Sequence, residues 1–409
     1  MASISDKVAL KRLEDKGLKG FKKHIPIRNQ SLCKRCGRDR IFLFTNKEKM
    51  IISPADGDLP AVLGECEIVG DEIPEPLEEW LMCYAEEVQA FQDGIAKAPT
   101  NNSSGKQSIP ALVECNWNQG SPYNLNTRFI NLNSTSNKPV ACYVGCSAAA
   151  IGQIIYYWGV QGVDGVKHQG GCTKLKGYSS DYKNFKCDVD AYSSIAKFDF
   201  ANMTPSIPTT TASKNAVATL LGYAARSISS EFSPNGTAAY LSYVGSALQN
   251  SFRFNAQYAS SNIAGLIYES LLNKWPVIMS GQGTGGHCFI CDGYDASTDM
   301  YHFNFGWNGE GNGYFSLSAI TPVERCNQHD YSSNKRCLYN IHPAYVLGDT
   351  NGDDKVNVSD IMKVVNDILM GKTVVGAKTN PADPRCDVNF DGIVDKKDID
   401  AITNIILNR

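Results

Sequence analysis

A duplicated pattern of acidic and amide residues near the end of the chain limits most tightly how that part can fold. The copies are DTNGDDKVNVSD at 349–360 (loop 1) and DVNFDGIVDKKD at 387–398 (loop 2). Both carry side-chain oxygens at positions 1, 3, 5, 9 and 12, and both run into an amphipathic helical pattern. Hard oxygen ligands at this spacing suit Ca²⁺. The predicted ligands are Asp349, Asn351, Asp353, Asn357, Asp360, Asp387, Asn389, Asp391, Asp395 and Asp398, with the backbone carbonyls of Lys355 and Ile393.

The alternative for this region is a pair of solvated acidic turns, which two copies in register disfavour. Residues 347–409 contain few large apolar side chains, so their core alone is marginal. We therefore predict a small all-α domain that folds only with calcium, because metal binding would supply folding free energy. Loop 1 has Asp354 where loop 2 has Gly392, and glycine permits the sharp turn needed there. Loop 2 should accordingly bind at least as tightly as loop 1.

The composition of the whole chain is that of a folded protein. Hydrophobic residues make up 43% of the 409 residues and charged residues 20%, which allows packed cores. The formal net charge of −3 gives no reason to expect nucleic acid or a membrane surface as a partner. The first 17 residues lack the apolar region of a secretory signal. Either the protein is cytosolic or its export signal is not part of this sequence.

The fourteen cysteines are irregularly spaced and do not indicate a small disulfide-stabilised protein. Cys33 and Cys36 form one CxxC pair. A zinc site would need a second pair, and Cys66 and Cys83 are poorly spaced for one. We interpret these residues as ordinary thiols or a local disulfide.

Three segments follow from the local patterns. Residues 1–108 carry strand signals, with a hairpin pattern of apolar runs at Arg40–Thr45 and Lys49–Ser53 around Asn46-Lys47. They also carry one clear helix pattern, whose apolar stripe runs from near Pro76 to Ile95, and a polar linker at 99–108. Residues 109–346 begin with a helix candidate at Ser147–Trp158 and later become rich in strand patterns. Helix first and sheet later favours α+β architecture. The strand patterns are WPVIMSG, HCFICDGYD, MYHFNFGW and GYFSLSAI, separated by Gly and Asn turns.

Cys146 is the candidate nucleophile. It follows a glycine and precedes a run of helix formers, so we expect it at a helix N-terminus. The partial positive charge there favours the thiolate, which is the form that attacks a carbonyl. A buried structural cysteine is the alternative, and this segment alone does not decide between the two.

His287 is the candidate general base, because it lies between a glycine-rich turn and a predicted strand. A core histidine and a metal site with neighbouring cysteines are the alternatives, although adjacent ligands are hard to aim at one ion. Asn304 and Trp307 lie about one strand beyond and could orient the imidazole. Gln119, upstream of Cys146, could donate to a developing oxyanion.

Four motifs in this order closely resemble the streptopain family of cysteine peptidases: WNQGSPYN, GCSAAAIGQIIYYW, GGHCFICDGYD and FNFGWNGEGNGYFSL. The resemblance implies a papain-like two-part catalytic domain, with Cys146 as nucleophile and His287 as base. By the same matching, Gln119 takes the oxyanion position, and Trp307 and Asn304 take the Trp and Asn positions near the histidine. No cofactor is implied for catalysis.

The flanking segments have resemblances of their own. RIFLFTNKEKMIISPADGDLPAVLGECE and the helix pattern after it resemble the family's inhibitory prosegment, which implies an α/β prodomain that masks the cleft until the linker is cut. The C-terminal repeat resembles type I dockerin modules, in which position 12 is Asp, and that resemblance implies docking onto a cohesin-bearing scaffold. The loops differ at positions 10 and 11, Val358-Ser359 against Lys396-Lys397, which bears on the choice of cohesin.

These observations predict a secreted cysteine endopeptidase, made as a latent zymogen and tethered to a cellulosome-like scaffold. The expected domains are an inhibitory prosegment with linker at 1–108, a peptidase domain at 109–346 and a dockerin-like domain at 347–409. The expected partners are protein substrates, a cohesin and the chain's own prosegment. Two alternatives are an inactive scaffold-binding protein and a Cys/His cell-wall amidase.

Overall fold

The structure of the protein is a computed structural model. It describes residues 3–24, 40–68, 73–100, 103–131, 135, 138–163, 171–172, 181–182, 185–187, 196–281, 287–322, 335–344, 346–353 and 355–408. The Cys33–Cys36 pair and Asp354 of loop 1 lie outside the described residues.

The elements follow one another as a mixture of helices and short strands. The helices are α1 Asp6–Asp15, α2 Glu75–Gln92, α3 Cys146–Tyr156, α4 Thr211–Ser227, α5 Leu241–Asn250, α6 Ile263–Leu272, α7 Val358–Leu369 and α8 Lys396–Leu407. The strands are β1 Lys22–Lys23, β2 Ile41–Thr45, β3 Lys49–Pro54, β4 Gly64–Glu67, β5 Ala96–Lys97, β6 Arg128–Asn131, β7 Pro139–Ala141, β8 Gly171–Cys172, β9 Asp181–Tyr182, β10 Phe185–Cys187, β11 Ala196–Lys197, β12 Phe254–Ala259, β13 Val277–Gly281, β14 His287–Asp295, β15 Met300–Asn304, β16 Gly313–Phe315, β17 Thr321–Pro322 and β18 Lys335–Pro343. A π-helical turn, Tyr157–Gln161, continues α3. The chain separates into two compact units, 1–117 with 258–340 and 118–257 with 341–409.

The first unit is built on an antiparallel sheet with the strand order β1-β2-β3-β4-β16-β15-β14-β13-β18. The predicted hairpin is confirmed, since β2 pairs with β3 across the turn at Asn46. The four strand patterns in residues 109–346, here called the peptidase segment for its predicted role, are confirmed as β13 to β16. Residues 1–108, the N-terminal segment, contribute β1 to β4 to the same sheet.

The strands of the two segments meet where β4 pairs with β16, and there Gly313 lies opposite Cys66. A side chain at Gly313 could not be accommodated, because its Cβ would lie 2.2 Å from the carbonyl oxygen of Glu65. The N-terminal segment is thus joined to the peptidase segment by main-chain hydrogen bonds as well as by packing.

Helix α2 packs its predicted apolar stripe against this sheet. Trp80 is 1% exposed, and its ring centroid lies 5.6 Å from that of Phe289 and 4.9 Å from that of Phe303. The helix ends at Gln92, so the prediction that Ile95 continues the stripe is wrong by about one turn. Gly94, with φ of 75°, follows the helix end.

Helix α1 was not predicted from the sequence. Ser5 caps it by accepting a hydrogen bond from the Val8 N–H, and Ala9 and Leu13 are its buried residues. Only two buried side chains in ten residues give a weak amphipathic signal, which the surrounding charges obscure.

The second unit contains helix α3, whose residues are all buried, packed beside α4. A four-stranded sheet with the order β7-β6-β10-β9 lies in the same unit. The two predicted C-terminal helices are confirmed as α7 and α8, which share a core around Val364 and Ile402. The predicted mixture of an α+β body and a small all-α module is therefore confirmed.

In the part of the chain that the structure describes, no helix combines the length and apolarity required to cross a bilayer.

Candidate active site and calcium loops

Cys146 is the first residue of α3, as the sequence predicts. Gly145 precedes the helix with φ of 90° and ψ of 150°, a conformation that L side chains rarely adopt. A Cβ on Gly145 would lie 2.8 Å from the carbonyl oxygen of Thr237. The Thr237 hydroxyl donates to the Tyr143 carbonyl at 2.6 Å, which fixes the turn before the helix. Cys146 is 8% exposed, and the helix N-terminus favours its thiolate form.

Gln119 lies in the same unit and close in structure to this turn, since its carbonyl accepts the Val144 N–H at 3.0 Å. Its side chain is 7% exposed. The Nε2 amide group has no hydrogen-bond partner among the described residues. A buried amide donor without a partner is costly unless it serves a ligand, so this geometry favours the predicted oxyanion role.

His287 begins β14 in the other unit, and a carboxylate of the N-terminal segment lies beside it. The Nε2 atom of His287 is 3.8 Å from Oε1 of Glu79 on α2, and the side chains are 13% and 11% exposed. The Glu79 carboxylate is therefore within ion-pair distance of the His287 imidazole. Nothing in the local sequence around Glu79 indicates this contact, although the position of the residue on α2 next to Trp80 follows from the helix pattern.

Asn304 and Trp307 follow β15 in the same unit as His287. Asn304 is 1% exposed, donates to the Cys115 carbonyl at 2.8 Å and accepts the Gly306 N–H at 3.0 Å. It therefore fixes the turn that carries the half-buried Trp307. Cys146 and Gln119 belong to one compact unit and His287, Asn304 and Trp307 to the other.

The additional thiols near the histidine strand are buried. Cys288 and Cys291 lie on β14 at 4% and 0% exposure. Burial raises the pKa of Cys291 well above its usual range, so this thiol stays protonated at neutral pH. The position of Cys146 at a helix N-terminus distinguishes it from Cys291.

A second candidate site consists of the two acidic loops. Their carboxylates at positions 1 and 12 are at most 1% exposed: Asp349, Asp360, Asp387 and Asp398. Buried carboxylates require a paired charge or a metal ion. Burial raises the pKa of Asp398 to about 6 and also raises that of Asp387. Oxygen donors of this kind fit Ca²⁺.

The remaining predicted ligands are held by local hydrogen bonds. Asn357 and Asp395 cap α7 and α8, each in a reciprocal capping box with the position 12 carboxylate. Asp360 accepts the Thr350 N–H at 2.8 Å and Asp398 accepts the Val388 N–H at 2.7 Å. No group of three or more His, Cys, Asp or Glu side chains converges to hold a metal within the described ranges. The ligand assignment therefore stays a prediction.

Comparisons with known proteins assign two regions. Residues 117–315 match the peptidase C10 family, and residues 347–407 match the type I dockerin domain. The thiol protease/hemagglutinin PrtT of Porphyromonas gingivalis is 25% identical over 338 residues, which cover 74% of this chain and 37% of that protein. Streptopain of Streptococcus pyogenes is 29% identical over 220 residues, which cover 50% of this chain and 54% of that protein. The chain thus spans about half or less of the length of these curated relatives.

A solved structure supports the fold. A prointerpain A fragment of Prevotella intermedia superposes with a TM-score of 0.55 at 20% sequence identity, covering 78% of this chain and 99% of that fragment. At this identity the likeness speaks for the fold alone.

Proposed function

We propose that this chain, whose residues 117–315 match the peptidase C10 family and whose residues 347–407 match the type I dockerin domain, is a cysteine endopeptidase. It would be made as a latent precursor and tethered outside the cell by its dockerin. The observation that carries the proposal is the placement of Cys146 at the N-terminus of a buried helix, with the Gln119 side chain near the preceding turn. The amide nitrogen of Gln119 has no hydrogen-bond partner in the part of the chain that the structure describes. The proposed domains are those expected from the sequence, at 1–108, 109–346 and 347–409.

In the proposed reaction the Cys146 thiolate attacks the carbonyl carbon of a peptide bond, and the carbonyl oxygen becomes an oxyanion. Gln119 Nε2 donates a hydrogen bond to that oxyanion. The His287 imidazolium gives its proton to the leaving amine as the C–N bond breaks, which leaves an acyl-enzyme. Water then attacks the thioester, with His287 accepting its proton, and the acid product leaves. Trp307 and Asn304 are proposed to keep the His287 side chain in its orientation.

Latency is proposed to depend on helix α2. Glu79 lies 3.8 Å from the imidazole of His287, and an ion pair there would bind the group that must exchange protons with Cys146. Farther along the same helix, Glu87 contacts Lys335 in a buried ion pair and accepts the Ala319 N–H at 2.7 Å. Two carboxylates of one N-terminal helix thus meet groups of the peptidase segment, as expected of an inhibitory prosegment.

The dockerin module is proposed to bind calcium in both loops and a cohesin of an extracellular scaffold. Asp349, Asp353 and Asp360 with Asn351 and Asn357 would hold the ion in loop 1. The corresponding set in loop 2 is Asp387, Asn389, Asp391, Asp395 and Asp398, and the carbonyls of Lys355 and Ile393 complete the two loops. The calcium would supply structure only, by neutralising buried carboxylates.

Casein turnover by the linker-cut protein tests the proposed activity. The Cys146→Ala variant should have no activity, and His287→Ala should lose nearly as much, because nucleophile and base act as a unit. Casein turnover by Cys146→Ala at the wild-type rate would contradict the assignment. Peptidoglycan cleavage without casein cleavage would favour the amidase alternative instead.

A further inference from the structure

The two copies of the acidic loop differ in what covers them. In loop 1, residues 351–353 are exposed, including Gly352 at the fourth position. In loop 2 the fourth position is Phe390, which is only 3% exposed. A large aromatic side chain that is buried where the sister copy is open indicates that loop 2 packs against other residues of the second unit.

Arg253 is one of those residues, and it belongs to the peptidase segment between α5 and β12. Its side chain is 6% exposed. Nη1 lies 3.3 Å from the carbonyl oxygen of Asp387 and Nη2 lies 3.4 Å from Oδ2 of the same residue. The guanidinium carbon lies 4.6 Å from the ring centroid of Phe390. One arginine therefore contacts loop 2 by charge, by hydrogen bonding and by stacking.

The backbone at this contact is strained on both sides. Arg253 and Phe390 both have φ of 60°, a region that non-glycine residues enter at an energetic cost. The Ala344 N–H donates to the Arg253 carbonyl at 2.9 Å and fixes the peptidase side. Strained backbone conformations persist only where the surrounding contacts hold them. The stacking of Arg253 on Phe390 is therefore a specific contact of the fold.

We propose that Arg253 is a latch that docks loop 2 onto the peptidase segment and competes with calcium for Asp387. The inference rests on the proposed calcium function of the loops. A Ca²⁺ ion ligated by Asp387 would lie about 2.3–2.6 Å from a carboxylate oxygen, and the guanidinium already contacts Asp387. Two positive charges at one buried carboxylate repel each other. Docking then lowers the calcium affinity of loop 2, and calcium weakens docking by the same factor.

Calcium binding by loop 2 would then accompany its release from the peptidase segment. In the isolated module Gly392 favours calcium binding by loop 2, whereas in the full chain Arg253 opposes it.

The test is a calorimetric calcium titration of the full chain in a Cys146→Ala, Asp353→Ala background, which prevents self-digestion and disables loop 1. Arg253→Met keeps the length of the side chain and removes its charge, and it should tighten calcium binding by on the order of tenfold. Arg253→Lys keeps the charge and should stay near the parent value. Arg128→Met removes an exposed arginine of the same unit and should change nothing.

A second measurement needs no change at Arg253. Hydrogen exchange of residues 251–257 in the same background should be faster with calcium than with EDTA, because calcium loosens the docked loop. Equal or weaker calcium binding by Arg253→Met, or exchange that calcium leaves unchanged or slows, would overturn the latch. Absence of calcium binding in every variant, including the chain with an intact loop 1, would overturn the calcium function together with the latch.

Discussion

At the residue scale, the proposed reactivity of Cys146 depends on the glycine before it. Gly145 adopts φ of 90° and ψ of 150° and lies against the Thr237 carbonyl. This turn allows the helix to begin at the nucleophile itself, so that the helix N-terminus acts on the thiol. The backbone conformation of residue 145 and its close approach to Thr237 require glycine, so any side chain at 145 would disturb the turn.

We expect Gly145→Ala to lower kcat for casein by more than tenfold and to cost about 1–3 kcal/mol of stability. The measurements are casein turnover of the linker-cut protein and denaturant unfolding. Gly236 is the matched control, because its φ of 148° is also positive while a Cβ there would meet nothing within 4 Å. Equal losses in Gly145→Ala and Gly236→Ala would contradict the specific role of the turn.

A second prediction at the residue scale concerns Glu79. Glu79→Gln removes the charge beside His287, and it should raise the activity of the uncut chain by roughly tenfold through loss of a charge-assisted contact. The activity after linker cleavage should be unchanged, since the residue then leaves with the prosegment. Glu86→Gln makes the same change at an exposed position of the same helix and should have no effect. Similar activation by both variants would show that general weakening of α2, and not the pair with His287, is responsible.

At the scale of elements, the linker after β5 is the proposed boundary between the inhibitory segment and the catalytic segment. The end of the linker and the residues after it are held by contacts with the rest of the peptidase segment. Gln107 donates from its N–H to the Tyr268 hydroxyl at 2.9 Å, and Ile109 forms a bridge with Tyr294. A cut upstream of these contacts would free the prosegment without displacing the new N-terminus.

We expect the uncut chain to be inactive and a cut within about residues 97–113 to release activity, because polar linkers are the usual sites of nicking. Gel electrophoresis and N-terminal sequencing, followed by casein assay, check this. The pure Cys146→Ala protein should remain uncut. If it processes itself, another active site makes the cut; if the uncut chain is fully active, residues 1–98 are not an inhibitor.

Local patterns account for most of the elements and not for their long-range pairing. Short apolar runs on either side of the polar turn at Asn46 specify β2 and β3, and spacing of three or four specifies α2, because these signals act within a few residues. The pairing of Cys66 with Gly313 joins strands that are far apart in sequence, and neither strand carries a mark of its partner. The contacts of Glu79 with His287 and of Arg253 with Asp387 were missed for the same reason. The proposed Cys146, His287 and Gln119 were readable because each lies in a distinctive local motif.

At the scale of the whole molecule, the C-terminal module is proposed to depend on calcium for folding. The small core around Val364 and Ile402 is accompanied by four buried carboxylates. Without a cation, the charges of each loop repel at short distance and oppose the folded state. None of the proposed catalytic residues is a proposed metal ligand.

We therefore expect residues 347–409, produced alone, to be largely unfolded in EDTA and to gain helix and dispersed amide resonances when Ca²⁺ is added. Circular dichroism and amide NMR measure this, and loop 2 should bind at least as tightly as loop 1 in the isolated segment. Casein turnover by the linker-cut full chain should be unaffected by EDTA. Spectra that calcium leaves unchanged would remove the proposed role of the ion.

Cys146 alone among the fourteen cysteines is proposed to be the catalytic nucleophile. Labelling of the linker-cut protein with the epoxide inhibitor E-64, followed by peptide mapping, tests this directly. We expect one label, on Cys146, that appears after the cut, is much weaker before it, and abolishes casein turnover. A label on Cys142 or Cys288, or full loss of activity with Cys146 unmodified, would contradict it.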